Sequence, residues 1–333
     1  MSWGGADVTV VPPPPRPSGA PEPGLEPGAE RLPEGPILYH VVTAGASASI
    51  VPVAEIVADS LLPLRPATNA RTYGENFIAE HLRQGAEFVL FHEGARAGSF
   101  IVSGATLENT ACGPLPRATG SLELGESATG AVEFLALARV QAPQVPRRAP
   151  ETLAPTRAMQ VLAPIYADQL LRNRHAQLPG NWPRAQAQLR VIGLSDTRDG
   201  GFTATFLVGD TLGPGLDDAG HSLFFIAMPA QLGYDTVFVS FRDYPANGKA
   251  APRLVDFLDW DHDDWPELLL RVYGSRTSWY EAVGRGTDGR WRSTFFSGRC
   301  EPQPAAVDST QTAAHTSTRP AAGAAPPDAA RSR

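Results

Sequence analysis

Short apolar segments rich in β-branched and aromatic residues recur about every 10–15 residues between residues 188 and 296. Glycine, aspartate and proline separate them, and these residues favour turns. The pattern predicts an antiparallel meander, in a sandwich or in a propeller blade. The predicted strands cover residues 189–194, 202–208, 223–228, 236–241, 254–258, 268–273, 278–283 and 291–296.

The first half of the chain combines predicted strands with a few helices. A hairpin is predicted over residues 87–102, and helices over 73–83 and 156–177, the second with Thr156 as N-cap and Pro164 as a kink or break. A short helix is also predicted within residues 50–62. We therefore expect an α+β protein that is mainly β, with antiparallel meander sheets and a few helices. Further strands are predicted over residues 37–42, 121–124 and 132–138.

Composition divides the 333 residues into segments. Both ends are rich in proline, alanine or glycine and poor in periodic apolar residues, so we expect disordered tails. Between them, four prolines mark a linker that separates a β-rich region from a helix and β-module. The predicted segments are a leader at 1–35, a β-rich region at 36–140, a linker at 141–155, a helix and β-module at 156–301 and a tail at 302–333.

Charge and hydropathy bear on the classes of partner. The net charge is −7, Lys249 is the only lysine, and no basic patch of the kind that nucleic-acid-binding domains carry is evident. No run of 18 or more apolar residues predicts a transmembrane helix. The first residues lack the features of a signal peptide, so a cytoplasmic location is the alternative to export. Cys112 and Cys300 are expected to form a disulfide if the protein is exported and to be two free thiols otherwise.

An acidic loop between two predicted strands is the clearest candidate site. Asp259, Asp261 and Asp263 occupy alternate positions, and Glu267 is the ninth residue of the loop. Ca²⁺ takes six to eight oxygen ligands at about 2.3–2.6 Å, whereas Mg²⁺ keeps more of its waters. The carboxylates, together with the carbonyl of Trp265, are therefore predicted to bind one Ca²⁺. A solvated acidic turn without an ion is the alternative.

The loop and its flanking strands also carry a family resemblance. The segment Asp259-x-Asp-x-Asp-Asp-x-Pro-Glu267, followed by Leu-Leu-Leu-Arg-Val-Tyr-Gly274, resembles the calcium loop of FG-GAP/VCBS-type repeats. These repeats are the blade modules of integrin-like β-propellers. The resemblance extends over residues 250–300, within which residues 278–283 and 289–298 resemble the outer strands of such a module.

The resemblance implies that Asp259, Asp261 and Asp263 are monodentate ligands and that Trp265 and Glu267 complete the site. Two positions depart from the family pattern. His262 and Asp264 stand where these loops usually have glycine, and the second of the two positions often requires a positive φ. One such loop occurs in the chain, so a complete propeller is not expected.

Other candidate motifs favour structural roles. Residues 284–289 match GxGxxG, but a strand rather than a helix is predicted to follow, which indicates a hairpin turn. His92 beside Glu93 lacks an HExxH context and is expected at the surface. His221, Asp235 and Ser240 are a catalytic triad only if the fold brings them together. An aromatic cluster near the loop is expected either in the core or as a sugar-binding platform; it comprises Trp260, Trp265, Trp279, Tyr280 and Trp291.

These features together predict a non-enzymatic binding or structural protein, exported or attached to a surface, whose C-terminal β-module is stabilised by one calcium ion. Its expected partner is a protein or a carbohydrate. The alternative is a hydrolase with a site in residues 36–250, and a third possibility is an intracellular protein whose acidic loop holds no ion.

Overall fold

The computed structural model describes residues 32–298, apart from residues 46, 59, 65–69, 144–152, 195–199 and 216–218. Most of the described residues lie in antiparallel strands, which form three sheets and are accompanied by four α-helices. The predicted class, α+β and mainly β with antiparallel meanders, is confirmed. The predicted leader and tail lie almost entirely outside the described residues.

The first sheet has seven strands in the order β1-β7-β4-β5-β6-β2-β3. Because β1 pairs with both β7 and β2, six of the strands close into a ring. Aromatic side chains fill the interior, and Phe77 of helix α1 (Ala70–His81) joins them. The strands are β1 (Ile37–Ala44), β2 (Ser47–Val57), β3 (Ser60–Pro63), β4 (Glu87–His92), β5 (Ala95–Thr110), β6 (Gly113–Leu124) and β7 (Glu133–Ala138).

The short helix predicted within residues 50–62 is wrong, because this segment forms β2 and β3. β2 pairs with β1, β6 and β3, and most of its side chains are buried. Its apolar residues therefore pack on both faces, a pattern that periodicity alone does not separate from a buried helix. Pro52 is tolerated in the strand because the ladder with β1 shifts register between Leu38 and Tyr39, and prolines occur at such bulges.

The hairpin of β5 and β6 is longer than the sequence predicts, and its glycines permit close backbone contact. A Cβ atom placed on Gly120 would lie 2.1 Å from the carbonyl oxygen of Ile101 on the facing strand. By contrast, nothing lies within 4 Å of the corresponding Cβ position of Gly104, in the same hairpin. Any side chain at residue 120 would therefore clash with the backbone of β5, and only glycine fits there.

The second sheet is a four-stranded meander in the order β11-β10-β9-β8. Helix α2 (Arg157–Asn173) packs on it, and the side chain of Thr156 caps the helix by accepting a hydrogen bond from the Met159 amide, as predicted. Pro164 does not split α2, since residues before and after it bury the same face. The strands are β8 (Gln186–Ile192), β9 (Gly201–Val208), β10 (His221–Ala230) and β11 (Gly233–Asp243), and helix α3 (Trp182–Ala185) precedes them.

A buried ion pair follows helix α4 (Tyr244–Asn247), which leads to the third sheet. The Lys249 Nζ atom lies 2.5 Å from Asp210 Oδ1, and both side chains are almost completely buried. The hydroxyl of Tyr244 donates to the other Asp210 oxygen at 2.8 Å. The only lysine of the chain therefore lies in the interior.

The third sheet is a second four-stranded meander, in the order β12-β13-β14-β15. The predicted turn within residues 284–289 is confirmed for residues 286–289, which connect the last two strands, and the Gly286 amide donates to the Arg290 carbonyl across it. The strands are β12 (Ala251–Leu258), β13 (Glu267–Tyr273), β14 (Ser278–Arg285) and β15 (Trp291–Phe296).

Two apolar cores join the three sheets. One contains Leu38 and Phe91 of the first sheet with Leu269 of the third, and the other contains Phe224 of the second sheet with Leu270 of the third. The regions before and after the predicted linker therefore belong to one compact unit. Most of the linker itself, residues 141–155, lies outside the described residues. No helix among the described residues is long and apolar enough to cross a membrane.

Candidate metal centre and neighbouring cleft

The acidic loop connects β12 to β13 and brings three of the predicted ligands together. One carboxylate oxygen from each of Asp259, Asp261 and Glu267 lies within 4.8 Å of the others. Oxygens that bind one Ca²⁺ at about 2.4 Å are at most about 5 Å apart. The three groups are thus close enough to share an ion.

Asp263 and Trp265 have different surroundings. The Asp263 amide donates to Asp259 and Asp261, each at 3.2 Å, while its own carboxylate accepts from the Trp265 amide at 2.8 Å. Asp263 is not in the group of three carboxylates. The Trp265 ring lies against Trp291, and the guanidinium of Arg285 stacks on it at 4.1 Å from the ring centre.

The loop backbone adopts the left-handed conformation at two non-glycine residues. His262 has a φ of 64° and Asp264 a φ of 70°. These are the two positions at which the loops that the segment resembles usually have glycine. Hydrogen bonds from the loop amides to the aspartates, such as Asp264 to Asp259 at 3.2 Å, offset part of the cost of this conformation.

Glu267 is the most buried member of the group, with 4% of its surface exposed. One of its oxygens accepts from the Trp260 amide at 3.1 Å. Burial, followed by the negative charge of Asp261 and then those of Asp259 and Asp263, raises the pKa of Glu267 to about 9, against the effect of the Trp260 amide. The loop therefore concentrates negative charge around a carboxyl group that water does not reach.

A cleft of about 770 Å³ opens where the first sheet meets the third. Residues of β1, β2 and α1 line it on one side, and residues from β13 to the end of β15 on the other, with the tip of the β5–β6 hairpin at its edge. Tyr73, Phe77, Trp279 and Phe296 are among its apolar lining residues. The cleft has no local signature in the sequence, because its sides come from opposite ends of the chain.

A row of polar side chains leads from the cleft into the protein. The Tyr280 hydroxyl lies 2.8 Å from His40 Nδ1, and His40 Nε2 lies 3.2 Å from Glu133 Oε1. Arg253 then donates two hydrogen bonds to Glu133, at 2.5 and 2.6 Å. Burial lowers the pKa of His40 despite the raising effect of Glu133. Burial tends to raise the pKa of Glu133. The hydrogen bonds to His40 and Arg253 outweigh this effect and hold the pKa well below its usual range.

Arg271 is the arginine that faces the cleft next to this row. It lies opposite Arg253 on β12 and opposite Tyr280 on β14. Its Nε donates to the Ser278 hydroxyl at 3.1 Å, and its guanidinium lies 5.3 Å from the ring centre of Tyr273. Because directly paired residues of antiparallel strands share a face of the sheet, Arg271 and Tyr280 lie on the same side of the third sheet.

A second buried cluster joins all three sheets around Asp256, which is fully buried. Its carboxylate accepts hydrogen bonds from the Glu93 amide at 2.9 Å and from the Phe257 amide at 2.8 Å. The other carboxylate oxygen lies 3.0 Å from His92 Nδ1. Arg190 of β8 approaches Glu93 at 3.4 Å. His92 is thus mostly buried and partnered, in contrast to the surface position that was predicted. A buried aspartate between apolar strand residues requires partners, which was the available signal.

The remaining candidates lie apart. Along the pairing of β10 with β11, His221 is opposite Asp243, Ser240 is opposite Phe224, and Asp235 is opposite Met228. The triad hypothesis for His221, Asp235 and Ser240 is therefore wrong.

The aromatic residues near the acidic loop lie in three different places. Trp260 and Trp279 are buried in the cores, whereas Trp265 and Trp291 pack on each other at the partly exposed surface. Tyr280, the fifth of the predicted cluster, lines the cleft.

Cys112 is disulfide-bonded. The other cysteine of the chain, Cys300, lies outside the described residues. Comparison of the chain with protein-family models, with curated proteins and with solved structures found no match.

Proposed function

We propose that this is a non-enzymatic, exported or surface-associated binding or structural protein, and that one calcium ion in residues 259–267 stabilises its C-terminal β-module. The observation that carries the proposal is the group of three carboxylate oxygens within 4.8 Å, from Asp259, Asp261 and Glu267. In this proposal Asp263 and the carbonyl of Trp265 complete the set of ligands, and the bound partner is a protein or a carbohydrate.

The electrostatics of the loop support a cation. Five carboxylates lie in nine residues, and Glu267 is buried beside the others. A divalent ion would neutralise part of this charge and would connect the end of β12 to the start of β13. Its role would then be to hold the turn in place, since the left-handed residues His262 and Asp264 make the loop costly to form alone.

The disulfide at Cys112 supports the exported or surface-associated location. Disulfides form and persist in oxidising compartments, and they are rare in the reducing cytosol. Calcium sites of extracellular modules are commonly weak, with Kd on the order of 10⁻⁴–10⁻³ M. A loop in which two glycines are replaced fits this weak range.

The test is thermal and denaturant-induced unfolding of the full chain in EDTA and in about 5 mM Ca²⁺. An ion that binds only the folded state with the Kd above adds about 1–2 kcal/mol to the free energy of unfolding. We expect this gain with Ca²⁺, a smaller one with Mg²⁺, and none in Asp261→Asn. Asp288→Asn, in the turn between β14 and β15, is the matched control and should keep the gain. Equal stability of the wild type in EDTA and in Ca²⁺ would refute the site.

A hydrolase is the second candidate function, and the row Tyr280–His40–Glu133 at the cleft favours it. A histidine with a hydroxyl 2.8 Å from one ring nitrogen and a carboxylate 3.2 Å from the other has the composition that nucleophilic catalysis uses. Hydrolysis of a panel of aryl esters that is lost in both His40→Gln and Tyr280→Phe, with unfolding unchanged, would establish it. Absence of turnover by the wild type across the panel would count against it.

A further inference from the structure

We infer that the cleft between the first and third sheets binds an amphipathic anion, meaning a carboxylate, sulfate or phosphate monoester attached to an apolar body. This goes beyond the calcium proposal and does not depend on it, because none of the carboxylates of the acidic loop lines the cleft. A volume of about 770 Å³ lies within the range of small-molecule sites in proteins.

The charge balance around Arg271 indicates an anion. Arg253 and Arg271 are directly opposite each other on β12 and β13. Glu133 forms a bidentate pair with Arg253 and so neutralises it. No carboxylate among the described residues forms an ion pair with Arg271, which instead contacts the Ser278 hydroxyl and the Tyr273 ring. The site therefore holds one positive charge that a ligand anion would balance.

The charged residues that line the cleft also carry more positive than negative charge. Among the described residues, the charged side chains that line the cleft are three arginines and one glutamate, although the whole chain has a net charge of −7. At the rim, Glu108 pairs with Arg117 at 2.7 Å, so that pair is neutral. The remaining positive charge is that of Arg271, on the side formed by the third sheet. An anion is thus attracted to this cleft in a protein that otherwise repels it.

The uncharged lining indicates an apolar body. Val42 and Val51 line the cleft from the first sheet, and Tyr73 and Phe77 of α1 line it as well. The Ser278 hydroxyl accepts from Arg271 and keeps its own proton, which it can donate to an oxyanion bound beside that arginine.

The test uses three probes with the same ten-carbon chain: decanoate, decanol and decyltrimethylammonium. Each is titrated into the full-length protein by calorimetry, below its critical micelle concentration, once in EDTA and once in Ca²⁺. We expect decanoate to bind at one site at least about tenfold more tightly than decanol, since a charge-assisted hydrogen bond contributes about that much. The cation should bind more weakly than either.

Two arginine variants separate the cleft from non-specific binding. Arg271→Met keeps the length of the side chain but removes its charge, and it should lower the affinity for decanoate to that for decanol. Arg83→Met is the matched control, because Arg83 is exposed and does not line the cleft, and it should behave as wild type. Arg271→Lys, which keeps the charge, should retain part of the preference.

The inference is overturned if the wild type binds decanoate and decanol equally, if it binds none of the three, or if Arg271→Met retains the preference. If Arg271→Met does not fold, the affinities of the wild type for the three probes are enough to test the inference. Because the cleft and the acidic loop are separate, the preference for decanoate is expected in EDTA as well. A failed calcium response with an intact decanoate preference would therefore refute only the calcium proposal.

Discussion

Replacing Asp256 with alanine should be one of the most destabilising single changes in the protein. The buried carboxylate accepts hydrogen bonds from two backbone amides and lies within hydrogen-bonding distance of His92. It thereby holds the β4–β5 turn, where Glu93 has a φ of 52°, against β12. Alanine would leave these donors buried without an acceptor.

The magnitude follows from that count of lost partners. A buried donor left without an acceptor costs about 1–3 kcal/mol, and removing one member of a buried charged pair costs about 3–5 kcal/mol. We therefore expect Asp256→Ala to lower the free energy of unfolding by about 3–5 kcal/mol. Asp256→Asn keeps an acceptor oxygen for the amides, so its loss should be nearer to 1–2 kcal/mol.

The assay is urea-induced unfolding followed by fluorescence and circular dichroism, with the slope of the transition compared between variants. Asp288→Ala is the control, because this exposed carboxylate lies in a turn and should change stability by less than about 0.5 kcal/mol. An Asp256→Ala protein that unfolds within 1 kcal/mol of the wild type, with an equal slope, would show that the buried cluster is not held together as described.

Two further predictions concern His92 and the β5–β6 hairpin. Burial disfavours the charged form of His92, but the hydrogen bond to Asp256 and the charges of Asp256 and Glu93 outweigh burial and the nearby Arg190, so its pKa is raised. The resulting stabilisation is fully present below about pH 6.5 and is lost as the pH rises through the raised pKa. The difference in stability between wild type and His92→Gln should thus shrink from pH 5.5 to pH 8.5, and a difference that grows over this range would contradict the assignment. Gly120→Ala should cost about 1–3 kcal/mol because of the Ile101 carbonyl, whereas Gly104→Ala should be nearly neutral in the same unfolding assay, so equal effects would be the contrary result.

Local patterns predicted the second and third sheets because their strands are neighbours in sequence. Each meander strand pairs with the next, and the turn residues between them fix the boundaries. The ring of the first sheet was not predicted, since β1 must pair with both β2 and β7, and β7 begins 89 residues after the end of β1. Pairing over such a separation leaves no periodic trace in one sequence.

The same reasoning applies to the sites. The acidic loop was visible because all of its carboxylates lie within nine residues, and three of them meet in the structure. The cleft was not visible, because His40 and Tyr280 are 240 residues apart. For Asp256, the partners His92 and Glu93 are more than 160 residues away. The chemistry of such contacts depends on the fold and has no local signature.

The burial of Lys249 gives this protein an internal reporter. It is the only residue in the chain with an ε-amino group, and its side chain is 2% exposed in the pair with Asp210. Amine-acylating reagents can therefore modify a side-chain amine only in molecules in which the segment between β11 and β12 has opened. The rate at which peptides containing Lys249 become labelled measures that opening in the native protein without any engineered probe, and labelling elsewhere is confined to the α-amino group.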